Sequence, residues 1–241
     1  MKKYQKYYEL KNAAKDKLDG KYGSAVLICF LASLLSGCIS MLVYLYIPAT
    51  KSLVLYYIIQ GVSSLVLSWV LGTLDLGITY FFLNAACGGP YSTRDLFYCF
   101  RSDTSKTLAI SGARALVSTL CLLPVEYMLD ICWYDPSAQR ILAMIAVCFV
   151  CFGLYVYAGL GLTLSFFLLL DFPDRSAGDI LRQSFQLIQG NRKKLLGLQL
   201  SFIPMELLCV CSLFVGYLWL TPYRNMTYTC FFLDLMNPKE A

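Results

Sequence analysis

The sequence predicts an all-α, polytopic membrane protein, and three observations carry that reading. Apolar residues make up 58% of the 241 residues and charged residues only 15%, far from soluble-domain usage. Long apolar runs cover 24–47, 52–86, 107–132, 141–170 and 195–235, each longer than the roughly 20 residues a helix needs to cross hydrocarbon. Positive charge in the gaps alternates high, low, high, low, high. Residues 1–23 carry seven Lys, and the next gap has Lys51 alone. Arg94, Arg101 and Lys106 follow, then Arg140 alone, then Arg175, Arg182, Arg192, Lys193 and Lys194. This positive-inside pattern predicts a cytoplasmic N-terminus, with the Lys- and Arg-rich gaps on the same side.

Residues 1–23 predict a cytoplasmic amphipathic helix ahead of a single transmembrane domain over 24–241. Tyr4, Tyr7, Leu10, Ala14 and Leu18 recur at spacings of three and four, and Lys3, Lys6, Lys11, Lys15 and Lys17 fill the remaining face. Such a helix is expected in the headgroup layer, with its ammonium groups toward lipid phosphates. Gly20 and Gly23 then turn the chain into the first span. Leu35-Ser36-Gly37-Cys38 looks like a lipoprotein cleavage box, but the apolar run continues through Ile47, so the first span is expected to stay uncleaved.

The second basic gap opens on Ser92-Thr93-Arg94-Asp95, a capping-box spacing, with Leu96, Phe97 and Phe100 expected on one face. The third opens on Ser176-Ala177-Gly178-Asp179, the same spacing. Its apolar stripe is Leu181, Phe185 and Ile188, and Gly190 is a suitable stop. The final run is too long for one helix, and Ser212 to Gly216 offers a turn near its middle. Six spans are favoured; five, with a surface tail broken at Pro222, is the alternative.

Small residues mark helix contacts: Ala32, Ser36 and Ser40 in the first span, and Ser64, Ser68 and Gly72 in the second. Cys29, Cys38, Cys121, Cys148, Cys151 and Cys209, six of the eleven Cys, fall inside apolar runs, where Cys acts as a small apolar residue. The CxxC at Cys148 and Cys151 lacks the accessible thiolate that redox work needs. Asn225-Met226-Thr227 matches a glycosylation acceptor only as a short, buried pattern.

Charges inside spans are the sharp local signals, since each costs roughly 2.5–3.5 kcal/mol at a helix centre unless it is paired or wetted. Asp75 and Arg114 lie at comparable depth, about 15 and 12 Å from one end of their spans. Glu206 and Arg224 are each nine positions from Val215, so a turn there brings them level. Two pairs are therefore expected, Asp75 with Arg114 and Glu206 with Arg224. Glu126 and Asp130 are expected near the outer surface.

No His occurs anywhere, which excludes imidazole catalysis and the HExxH zinc motif. No phosphate loop or dinucleotide fingerprint is present, and neither a cofactor nor a metal site is expected. The basic residues lie beside spans and form no nucleic-acid motif, so the expected partners are membrane lipids and another membrane protein, with no nucleic acid. The residues favour a non-enzymatic lipid- or protein-binding membrane module. The alternative is a small transporter or channel using the four interior charges, with helix breaks at Pro124, Pro204 and Pro222. Against it, no span reads as having a continuous polar face.

The opening Leu10-Lys11-xx-Ala14-Lys15-xx-Leu18-x-Gly20-xx-Gly23 resembles that of a bacterial integral-membrane family, domain-of-unknown-function family 975. Leu170-Asp171-Phe172-Pro173, Leu181-xx-Ser184, Gly190-Asn191-Arg192-Lys193 and Leu200-Ser201-Phe202-Ile203 resemble its central signature in order. Leu218-Trp219-Leu220-x-Pro222-Tyr223 with Phe231-Phe232-Leu233-Asp234-Leu235 is similar to its C-terminal signature. The resemblance covers essentially the whole chain. Two departures are Cys87-Gly88-Gly89-Pro90, where the family has Arg-Gly-Glu, and the bulkier turn Leu213-Phe214-Val215-Gly216. The resemblance implies a multi-span plasma-membrane protein of Gram-positive bacteria, and supplies no activity.

Overall fold

Every regular element in the computed structural model, which describes residues 6–45 and 53–237, is a helix. Tyr4, Lys3, Lys51 and the C-terminal Ala241 lie outside the described residues. The order is α1 (Tyr7–Leu18), α2 (Tyr22–Leu45), α3 (Leu53–Leu71), α4 (Leu74–Cys87), a 3₁₀ helix (Thr93–Phe100), α5 (Thr104–Tyr134) and α6 (Ala138–Leu162). It continues with α7 (Ser165–Asp171), α8 (Ala177–Gln189), α9 (Arg192–Leu200), α10 (Ile203–Cys211) and α11 (Tyr217–Met236). Five stretches are long and apolar enough to cross a membrane: Tyr22–Leu45, Leu55–Cys87, Thr104–Tyr134, Ala138–Asp171 and Arg192–Cys211.

Three of these stretches are broken, at 72–73, 163–164 and 201–202. A break inside a span frees carbonyl groups that hydrocarbon cannot satisfy, so nearby polar side chains must bond them. At the first, the Thr73 hydroxyl donates to the Val70 carbonyl at 2.7 Å. At the second, Thr163 bonds the Gly159 carbonyl at 2.7 Å, Ser165 that of Leu162 at 2.7 Å, and Ser184 of α8 that of Gly161 at 2.6 Å. At the third, Ser201 bonds the Leu198 carbonyl at 2.6 Å. Pro204 explains this last break, because a proline lacks the N–H that would continue the helix. Pro124 and Pro222, expected to break their helices, lie within unbroken α5 and α11.

The core occupies the end of the bundle where α1, the 3₁₀ helix and α8 close it. The stripe Leu10, Ala14 and Leu18 of α1 is fully buried, packed toward α11 and α4. The expected headgroup-layer helix therefore has its apolar face covered by protein. Gly20, at φ +69°, turns the chain so that α1 folds back under the bundle. Both predicted caps form. Ser92 Oγ accepts from Arg94 N, Asp95 accepts from Ser92 N at 2.7 Å, and Ser176 Oγ accepts from Asp179 N at 3.2 Å. The segment after Ser92 is a 3₁₀ helix, where residues three apart eclipse. Leu96 and Cys99 are accordingly buried, while Phe97 and Phe100, expected beside Leu96, are exposed. In α8 the buried face is Ile180, Ser184 and Ile188, with Leu181 and Phe185 beside it.

Close approaches hold the remaining helices. Gly61 of α3 faces Leu123 of α5, Gly72 faces Ser111, and Trp69 lies over Gly112 and donates its indole N–H to the Leu108 carbonyl at 2.7 Å. Of the first-span stripe, Ala32 is buried and Ser36 and Ser40 are partly covered. At the opposite end, α2, α6 and α10 present apolar faces such as Met41, Leu142, Phe149 and Leu208 with little protein cover.

Candidate functional site

The chain reverses between α10 and α11 as the spacing around Val215 predicted. Phe214 N donates to the Cys209 carbonyl at 2.9 Å, and Leu213 and Phe214 take positive φ in the turn. The reversal sets Arg224 Nη1 3.0 Å from Glu206 Oε1, as a hydrogen-bonded pair. Asp75 comes from the first turn of α4, where the helix N-terminus favours a carboxylate. Arg114 comes from α5, and its Nη2 lies 3.4 Å from Asp75 Oδ2. The Arg114 guanidinium also covers the Phe166 ring at 4.9 Å from its centroid. Among the described residues it makes no hydrogen bond, so several of its five donors are open.

Asp75, Arg114 and Arg224 border a partly open polar cavity of about 470 Å³. Asp75 follows the first helix break, Thr163 sits on the second, Gln199 precedes the third, and Arg114 closes the α5 side. One wall is a continuous polar stripe on α11: Thr221, Arg224, Asn225, Tyr228 and Thr229, at the spacing of one helical face. The second half of the final apolar run thus carries a polar face that the sequence reading had not singled out. Sequence reading missed the stripe because it searched for an apolar face, whereas α11 turns polar residues toward the bundle interior. Around the stripe, α11 buries Leu220, Tyr223, Met226, Phe231 and Phe232, so both polar and apolar residues of this helix face the rest of the bundle.

Two further spaces adjoin this cavity. A smaller one of about 200 Å³, also touching Asp75 and Arg114, runs along α5 past Ser111 and Ser118. An apolar groove of about 630 Å³ lies farther along the same seam, bounded by Cys121, Val125, Cys148 and Phe152. Tyr155 of α6 borders all three.

The other singled-out positions serve the frame around this site. Pro222 and Tyr223 are buried in α11, Tyr223 packing edge-to-face on Phe202 at 5.7 Å. Gly190 ends α8 and Asn191 begins α9, while Gly23 opens α2 in uncrowded space. Asp171 ends α7, and the Pro173 carbonyl accepts from Lys106 Nζ at 2.6 Å. Near the far end, Glu126 accepts from Gln60 and Asp130 from Tyr57, at 2.9 and 2.6 Å. The Cys residues are free thiols, and among the described residues no metal-binding cluster occurs.

A family described as protein of unknown function, DUF975, matches residues 1–239. The chain belongs to that family. The match spans the polar cavity, both ion pairs and all three helix breaks, so the site lies wholly within the region the DUF975 family shares. No curated protein and no solved structure matches the chain.

Proposed function

We propose that this member of the DUF975 family is a non-enzymatic module of the bacterial plasma membrane that binds a membrane lipid in its interior cavity. Its N-terminus is cytoplasmic, and α11 makes a sixth crossing that returns the C-terminus to the cytoplasm. The charge alternation supports the orientation. The hairpin at Glu206 and Arg224, with the 20-residue length of α11, supports the sixth crossing.

The observation that supports the lipid reading is that one side chain, Tyr155, lines both a polar cavity and an apolar groove. A ligand held there has a polar end and an apolar end, and both volumes fall in the roughly 300–1,000 Å³ range of ligand pockets. Absence of His and of paired acids placed for proton transfer argues against catalysis. The rival reading is a small transporter, favoured by three broken helices around one polar cavity, a recurrent feature of transport sites. Native mass spectrometry of the detergent-purified protein separates the two. Lipid binding predicts phospholipid retained by the wild type and lost from Arg114→Leu. Solute flux in liposomes that Asp75→Asn abolishes, with no lipid retained, overturns it.

A further inference from the structure

The looser of the two interior ion pairs lines the polar cavity with both of its members. Arg224 is hydrogen-bonded to Glu206 at 3.0 Å, whereas Asp75 and Arg114 meet at 3.4 Å without a hydrogen bond. The Asp75 side chain is 48% accessible and that of Arg114 37%. Both open onto the cavity, so one site offers a carboxylate acceptor and a guanidinium donor side by side. Each pair is already neutral. A net charge added to this interior would lack compensation, whereas a ligand carrying both signs leaves the balance intact.

The apolar half of the site begins where the polar half ends. Along α6, Cys148, Phe152, Tyr155, Gly159 and Leu162 are spaced four, three, four and three, and form one face. That face borders the groove at Cys148 and Phe152 and the polar spaces at Tyr155, Gly159 and Leu162. A Cβ at Gly159 would meet nothing within 4 Å, so α6 leaves open space beside the smaller polar space. The groove wall is almost wholly apolar, and Phe149 and Phe152 beside it are 79% and 68% exposed.

We infer that the ligand is a zwitterionic phospholipid with a primary ammonium group, its ammonium on Asp75, its phosphate on Arg114, and one acyl chain in the α5–α6 groove. This rests on the lipid-binding reading and names the lipid class. A guanidinium matches phosphate oxygens through paired N–H donors, and a carboxylate accepts from an ammonium. Arg114 keeps donors for the phosphate because it spends none on hydrogen bonds among the described residues. Tyr155 stands where headgroup gives way to chain.

The test is competitive rebinding. Delipidated full-length protein in detergent receives equal amounts of phosphatidylethanolamine, phosphatidylglycerol and phosphatidylcholine, and native mass spectrometry counts the bound species. Phosphatidylethanolamine is expected to exceed each of the others by about tenfold, a difference of about 1.4 kcal/mol. Asp75→Asn and Arg114→Gln should reduce that preference to within about twofold. Cys148→Trp, which fills the groove, should lower retention of all three, with each variant's folding checked by its melting temperature. Preferred phosphatidylglycerol that depends on Arg114 would overturn the zwitterion inference and leave lipid binding standing. No lipid retained by the wild type would overturn both. Phosphatidylethanolamine preference unchanged in Asp75→Asn and Arg114→Gln would overturn the headgroup placement, and unchanged retention in Cys148→Trp the chain placement.

Discussion

The ammonium of Lys11 donates to the Ser201 carbonyl at 2.9 Å, joining α1 to the break between α9 and α10 across 190 positions of chain. The same ammonium lies 4.2 Å from the Phe202 ring centroid. Lys15 lies over Tyr223 at 5.9 Å, and Lys21 donates to the Ala85 carbonyl at the end of α4 at 2.6 Å. Lys11 and Lys15, which read as lipid-facing, thus meet a carbonyl group and rings of the bundle. The heads of these lysines thereby help to hold the bundle together.

Lys11→Met should remove the charged donor that satisfies the Ser201 carbonyl at the third break. A loss of about 1.5–3 kcal/mol is expected, the worth of a hydrogen bond to a charged group. Hydrogen exchange of residues 7–18 should quicken, and Lys11→Arg should restore part of the protection. Unchanged exchange would show that α1 is held by Leu10, Ala14 and Leu18 alone.

Arg224→Leu should strand the Glu206 carboxylate between α10 and α11. Both side chains are 35% accessible, so the cost is set at about 1–3 kcal/mol, between exposed and buried pairs. The double variant Glu206→Leu/Arg224→Leu should lose less than the worse single change. Melting temperatures in one detergent decide it, and strictly additive losses would mean that the 3.0 Å contact carries no coupling.

Gly77→Ala should be among the most damaging small substitutions. A Cβ there runs into the backbone carbonyls of Leu96 and Asp95, which cannot rotate away as a side chain would. The expected cost is about 1–3 kcal/mol. Gly153→Ala on the exposed face of α6 meets nothing within 4 Å and should be neutral or stabilising by up to about 1 kcal/mol. Equal melting temperatures for the two variants would contradict the close packing of α4 on the 3₁₀ helix.

Fluorescent-protein and phosphatase fusions test the crossing of α11. Fusions after Ala241 should fluoresce and show no phosphatase activity, while phosphatase fused after Ser137 should be active. Phosphatase activity after Ala241 would leave five crossings.

Much of this arrangement was legible because membrane spans follow simple arithmetic. Run lengths located the helices, and equal distances from Val215 placed Glu206 beside Arg224. Comparable depths brought Asp75 to Arg114 although the pair spans two helices. The breaks at 72–73 and 163–164 were not legible, since neither Thr73 nor Thr163 obliges a helix to stop. Their hydroxyls bond carbonyls of the preceding turn, and at the second break the distant Ser184 satisfies the Gly161 carbonyl as well. The break at 201–202 was visible through Pro204, but Pro124 and Pro222 carried the same signal without breaking their helices. The burial of α1 was illegible for a related reason. An apolar stripe of Leu10, Ala14 and Leu18 reads alike whether lipid or protein covers it. The cavity wall on α11 was written in the sequence as a polar stripe and was overlooked because spans are expected to be apolar.

In the lipid-binding reading, lipid occupies the seam marked by Tyr155. A photoreactive benzoylphenylalanine in place of Tyr155, irradiated in native membranes and then in purified detergent-solubilised protein, tests it most directly. A phospholipid adduct is expected at position 155 in both conditions, because the ligand stays through purification. At Leu142, on the exposed face of α6, the adduct should form in membranes and vanish after purification. Loss of the adduct at both positions on purification, or none at 155 in membranes, would contradict it.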